Sequence, residues 1–140
     1  MIYNNEIETM PLSKLRKLQS ERFARLVNYM YNNQSFYKRL WDEKRIDVSK
    51  IKGIEDIVRF PFTYKNDLRD NYPFGLFAVP ASHISRIHCS SGSAGKPTVV
   101  GYTKNDLAIF SEVVARSLCC AGAKPGMTRA LMRRCESVEM

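Results

Sequence analysis

Residues 86–103 read Arg86-Ile87-His88-Cys89-Ser90-Ser91-Gly92-Ser93-Ala94-Gly95-Lys96-Pro97-Thr98-Val99-Val100-Gly101-Tyr102-Thr103. The apolar runs Arg86 to Cys89 and Thr98 to Tyr102 read as strands, and the eight residues between them, Ser90 to Pro97, as their connecting loop. That loop carries almost no apolar surface, so no core can hold it. A polar ligand must order it, and a polyphosphate fits. Ser90, Ser91 and Ser93 bring hydroxyls and Lys96 an ammonium, while Gly92 and Gly95 let successive backbone N–H groups converge.

This is not a Walker-type loop. That motif needs four residues between its glycines and a Ser or Thr after its lysine to hold magnesium at a helix start. Here two residues separate Gly92 from Gly95, Pro97 follows Lys96, and the loop runs into a strand. Taken alone, the eight residues also fit a flexible surface hairpin, the commoner use of Ser/Gly-rich loops.

The stretch Ser90 to Thr98, followed by Val99 to Thr103, resembles the first signature of the acyl-adenylate-forming enzymes, in the version found in the phenylacetate-CoA ligase family. Lys65 to Pro80 (KNDLRDNYPFGLFAVP) resembles the same family, as does Pro61-Phe62-Thr63 before it, and this longer match has no low-complexity explanation. The resemblance covers roughly Glu6 to Gly126. It implies an α/β (α+β) fragment of a larger adenylating-enzyme N-terminal domain, spanning residues 1–126, that works with ATP, Mg2+ and CoA on an aryl acetate. It also implies that Ser90, Ser91, Gly92, Ser93, Gly95 and Lys96 contact the ATP phosphates, with Lys96 the main point charge. No catalytic residue or metal ligand is assigned to this chain.

Two departures stand out within the signature. The family usually reads Ser-Ser-Gly-Thr-Thr-Gly, whereas Ser93 and Ala94 occupy the threonine positions here. Serine keeps a hydroxyl and alanine does not, so one charge-assisted hydrogen bond worth about 1.5–3 kcal/mol is lost. In the wider superfamily the signature lysine follows the proline, where this chain has Thr98, and Lys96 precedes it instead. Family members are also several times longer, and their adenine, ribose and magnesium contacts and catalytic lysine lie in parts beyond residue 140. The fragment is therefore expected to be inactive alone.

Composition narrows the class. With 140 residues, 44% hydrophobic and 26% charged, the chain fits one domain with a modest core. No run reaches the roughly 20 apolar residues of a bilayer span. The start, Met1 to Glu6, lacks the basic and apolar regions of a secretion signal, so the cytoplasm is the expected location. The net charge of +8 raises an alternative, a basic helical nucleic-acid-binding module. Against it, residues 1–52 interleave eleven Lys/Arg with six Asp/Glu, the pattern of a solvated helical face, and no finger spacing or basic arm appears. Nucleic acid and membrane are therefore not expected partners, and a homo-oligomer is left open.

The rest of the chain predicts elements. A helix is expected from Pro11 or Ser13 to about Asn32, with Leu15, Leu18, Phe23, Leu26, Val27 and Met30 on its apolar stripe. Ser35 is expected to cap a second helix, Phe36 to about Lys44, that buries Phe36, Tyr37, Leu40 and Trp41; together these helices form an N-terminal helical hairpin. Gly53 to Ile57 predicts one helical turn, Thr63 a cap for a short helix from Tyr64 to Arg69, and Tyr72 to Phe77 a packed aromatic connector. After the strands, Thr103 and Asp106 form a capping box for a helix ending at Gly122, its C′ residue. Its stripe runs through Leu107, Ile109, Phe110, Val113, Val114, Ser117, Leu118 and Ala121.

Cys89, Cys119, Cys120 and Cys135 lack zinc spacing and read as reduced structural thiols, Cys89 as a packing residue. His83 and His88 have no partner at nucleophile or metal spacing. Residues 127–140 do not resemble the family and read either as a truncated or frame-shifted tail or as a short helix on Leu131, Cys135 and Val138.

Overall fold

The computed structural model describes residues 1–91 and 97–124. In order these form α1 (Asn5–Glu8), α2 (Leu12–Asn33), α3 (Ser35–Glu43), 3-10 turns at Val48–Lys50 and Ile54–Arg59, α4 (Lys65–Asp70), a 3-10 turn at Ala81–His83, β1 (Arg86–Cys89), β2 (Val99–Tyr102) and α5 (Lys104–Cys120). The fold is helical with one two-stranded antiparallel sheet, as an N-terminal hairpin followed by a strand, loop, strand and helix requires.

The core lies where α2 and α3 meet the segment after them. Val27, Trp41, Ile46 and Ile51 are buried together, with Phe23, Met30, Tyr37, Leu40 and Phe60 packed around them. Trp41 meets Phe60 edge-on at 4.9 Å between ring centres, and Phe60 meets Phe23 at 5.5 Å. Such aromatic pairs add about 0.5–1.5 kcal/mol beyond the area they bury. Leu26, expected on the same stripe, is exposed instead, at the rim of this cluster.

Two caps differ from expectation. Gln34, not Ser35, caps α3: its side-chain oxygen accepts from Tyr37 N–H at 3.1 Å, its amide donates to the Gly75 carbonyl, and the residue is buried. Ser35 is the first helical residue. Tyr64, not Thr63, sits at the cap of α4, where Asp67 Oδ2 accepts the Tyr64 N–H at 2.6 Å, and the Thr63 hydroxyl bonds to Tyr37 at 3.1 Å. At α3 the Gln34 side chain takes the capping role, whereas at α4 Tyr64 makes no side-chain cap bond and Asp67 reaches back to its N–H.

The end of α3 is a Schellman turn. Arg45 N–H donates to the Asp42 carbonyl and Ile46 N–H to that of Trp41, both at 2.9 Å, with Arg45 at φ 55°. This reversal drops Ile46 into the core. Gly122, at φ 94°, ends α5 in the same way, in the role its position predicts.

Candidate functional site

β1 and β2 pair in antiparallel register, Arg86 with Tyr102, Ile87 with Gly101, His88 with Val100 and Cys89 with Val99. Beyond the last pair the ladder is continued by a single reciprocal contact. Ser90 N–H donates to the Thr98 carbonyl at 3.0 Å, and Thr98 N–H donates to Ser90 Oγ at 2.9 Å. Ser90 and Thr98 thus close the mouth of the loop. The register of the two strands brings Thr98 to the mouth of the loop, a part that the motif reading did not give it.

Of the expected phosphate-binding residues, Ser90 and Ser91 are described and exposed. Gly92, Ser93, Gly95 and Lys96 lie outside the described residues. The Ser90 hydroxyl oxygen serves as an acceptor here, and a hydroxyl can also donate one hydrogen bond. An anion at the loop can take that hydrogen without opening the clamp.

The walls behind the clamp are built from aromatic rings. His88 sits edge-on to Tyr102 at 5.1 Å, and Tyr102 contacts Phe110 of α5 at 6.2 Å. On the other side Phe77 presses against Gly101, where a Cβ atom would lie 2.7 Å from Phe77 Cζ. The connector from Tyr72 to Phe77 therefore packs under the sheet through its last residue, while Tyr72 and Phe74 remain largely exposed. A cleft of about 570 Å3 runs between α2 and β2, lined by Tyr29, Met30, Phe77, Val99 and Gly101 and ending at Thr103 and Asp106.

The start of α5 is fixed by its capping box. Thr103 N–H donates to Asp106 Oδ2 at 2.9 Å, and Asp106 N–H donates to Thr103 Oγ1 at 3.2 Å. Its flank is fixed by α1, which sequence reading did not find. Asn4 Nδ2 donates to Glu112 Oε1 at 2.8 Å, and Arg116 pairs with Glu8 at 3.5 Å. On the expected apolar stripe, Ile109, Phe110, Val113 and Leu118 are exposed.

Among the cysteines Cys119 is buried, whereas Cys89 and Cys120 are exposed, so packing accounts for only the first. Cys89 belongs to the end of β1, where successive residues face opposite sides of the sheet. Cys135 and residues 127–140 lie outside the described residues. Among the described residues no group of three or more His, Cys, Asp or Glu sits together to hold a metal ion. No helix among them is long and apolar enough to cross a membrane.

No protein-family model matches the chain. Curated relatives do. The chain is 61% identical over 127 residues to a phenylacetate-coenzyme A ligase of Thermus thermophilus, covering 91% of this chain and 28% of that protein. It is 45% identical over 119 residues to a phenylacetate-coenzyme A ligase of Escherichia coli, covering 85% and 27%. The chain thus spans little more than a quarter of the length of these relatives, which fits an N-terminal portion. A solved 2-hydroxyisobutyryl-CoA ligase in the postadenylation state, in complex with R3-HIB-AMP, matches at TM-score 0.79 and 30% identity over 89% of this chain and 27% of its own. The same ligase in complex with 2-HIB-AMP and CoA in its thioesterification state matches at TM-score 0.78 and 32% identity, over 86% and 27%.

Proposed function

From a chain homologous to phenylacetate-coenzyme A ligases over about a quarter of their length, we propose that it supplies the ATP-phosphate loop of an AMP-forming acid-CoA ligase acting on an aryl acetate. The observation that carries this reading is the Ser90–Thr98 clamp. It holds Ser90 and Thr98, at the two ends of a polar loop, against one another.

In this reaction ATP and the acid give an acyl-adenylate and pyrophosphate, and the CoA thiol then attacks the activated carbonyl. Negative charge grows on the departing pyrophosphate. Donors already aimed at those oxygens lower the barrier because they need no reorganisation. The hydroxyls of Ser90, Ser91 and Ser93, the N–H groups beside Gly92 and Gly95, and the Lys96 ammonium have that role. The overall charge of +8 draws three anionic substrates towards the site.

Residues 1–126 form part of the adenylation domain in this account, and the chain works in the cytoplasm. A loop that touches only phosphate does not assemble an acyl pocket or a complete nucleotide site, so the 140-residue chain binds ATP weakly and does not turn over. The test is an assay for thioester with ATP, CoA and phenylacetate, run beside an ATP titration. Saturable ATP binding without thioester is expected. Absence of ATP binding at millimolar nucleotide, or thioester formed by the pure chain, contradicts the proposal.

A further inference from the structure

Among the described residues Gln34 is the one buried polar side chain, at 3% exposure. It stands between α2 and α3 and bonds in two directions. Its carboxamide oxygen accepts the Tyr37 N–H at 3.1 Å, and its nitrogen donates to the Gly75 carbonyl, 41 positions further along the chain. The first bond caps α3. The second ties the helical hairpin to the aromatic connector, and Tyr29 of α2 adds another, its hydroxyl donating to the Ala78 carbonyl at 3.0 Å. The two carbonyls bracket Phe77.

Phe77 is where the connector meets the sheet. Its Cζ and Cε2 lie 2.7 and 2.8 Å from the place a Cβ of residue 101 would take, so the ring packs on the backbone of β2 itself. Alternation along a strand puts Val99 on the same face as Gly101, and both line the cleft that Phe77 also lines. Val99 pairs with Cys89, and the next contact along the ladder is the one between Ser90 and Thr98. Gln34 is thereby joined to the mouth of the loop through Gly75, Phe77 and β2.

We propose that Gln34 is a positioning residue for the phosphate loop: together with Tyr29 it holds Phe77 against β2, and so sets where Thr98 stands relative to Ser90. What the loop receives rests on the phosphate reading above, whereas the coupling rests on these contacts alone. Glutamine suits the place because its amide donates and accepts at once, which no apolar side chain of that length does. A closely packed interior transmits a displacement instead of absorbing it, so a connector that shifts moves the strand it lies on.

The experiment follows backbone amides by NMR in the 140-residue chain, first without and then with ATP. Gln34→Met and Tyr29→Phe are compared with Ile51→Ala, a truncation in the core away from this path that also weakens the fold. Without nucleotide, the Ser90 and Thr98 amides are expected to move in the first two variants and to stay in place in Ile51→Ala. ATP affinity should fall about threefold or more in Gln34→Met. In a Phe77→Leu background the same change should cost less affinity than it does alone, because both act through one ring.

Ser90 and Thr98 amides that stay still in Gln34→Met and Tyr29→Phe overturn the proposal, as do equal movements in Ile51→Ala. If Gln34→Met does not fold, Tyr29→Phe decides in the same way, since it removes only an exposed hydroxyl. A parent chain that binds no ATP, but whose amides respond to these two variants and not to Ile51→Ala, contradicts the phosphate reading and supports the coupling.

Discussion

Ser90 Oγ accepts the Thr98 N–H at 2.9 Å while Ser90 N–H donates to the Thr98 carbonyl at 3.0 Å, so the residues bracketing the loop hold one another without a core. One of those two bonds belongs to a side chain. Ser90→Ala keeps the backbone bond and removes the other, leaving the exposed Thr98 N–H to water. A stability loss of no more than about 1 kcal/mol follows. ATP affinity should fall about 2–10-fold, as the loss of one hydroxyl contact predicts. Denaturant unfolding and an ATP titration of the variant check both values, with Ser90→Thr expected to retain affinity.

Gly101 is constrained by space, not by backbone conformation. A methyl group there would sit 2.7 Å from Phe77 Cζ, 2.8 Å from Phe77 Cε2 and 3.0 Å from Ile84 Cδ1. Gly101→Ala is therefore expected to destabilise the chain by about 1–3 kcal/mol through overpacking. In the double variant with Phe77→Leu the penalty of the alanine should shrink, a coupling that a double-mutant cycle in urea measures.

Arg45 occupies the left-handed position that ends α3, at φ 55°, and its side chain is exposed. Glycine adopts that conformation freely, though it also gives the unfolded chain more freedom to lose. The balance favours Arg45→Gly, with a gain of about 0.5–1 kcal/mol expected in equilibrium unfolding. A loss of stability would show that the arginine side chain contributes more than the strain it carries.

What could be read from the sequence follows the range of the interactions. The capping box of Thr103 and Asp106, the strands on either side of the loop and the Gly122 terminus depend on neighbours within a few residues, and all are present. α1 has only four residues and is held by partners such as Glu112, 108 positions away from Asn4, so no local pattern announces it. Gln34 caps α3 while reaching the Gly75 carbonyl 41 positions on, a contact no cap preference encodes. Periodicity showed that α5 has an apolar side but could not show whether anything covers it, and Ile109 and Val113 are exposed. The loop chemistry was read from its hydroxyls, glycines and lysine together with the resemblance, and the structure adds the bond between Thr98 and Ser90.

Asp56 provides an acid-sensitive contact far from the loop. Its carboxyl titrates below the ordinary aspartate range because it accepts the backbone N–H of Lys52, and then that of Gly53, with Arg59 adding to the effect. A depressed folded-state pKa stabilises the fold above the unfolded value, about 3.9, and that stabilisation is lost as pH falls through the lower folded value. Asp56→Asn should therefore be less stable than the parent at pH 6, and the gap should narrow steadily below about pH 4. Urea midpoints across this range test it. A gap that stays constant down to pH 2.5 would exclude the linkage.

The central claim is that the loop between Ser90 and Thr98 receives the phosphates of ATP. Backbone amide shifts followed by NMR during an ATP titration test it most directly, with the Lys96→Ala variant alongside. Saturable movement of the Ser90, Ser91 and Thr98 amides is predicted, together with a loss of about tenfold or more in affinity when the lysine is removed. Nucleotide that binds while those amides stay still, with equal affinity for both proteins, would contradict the account.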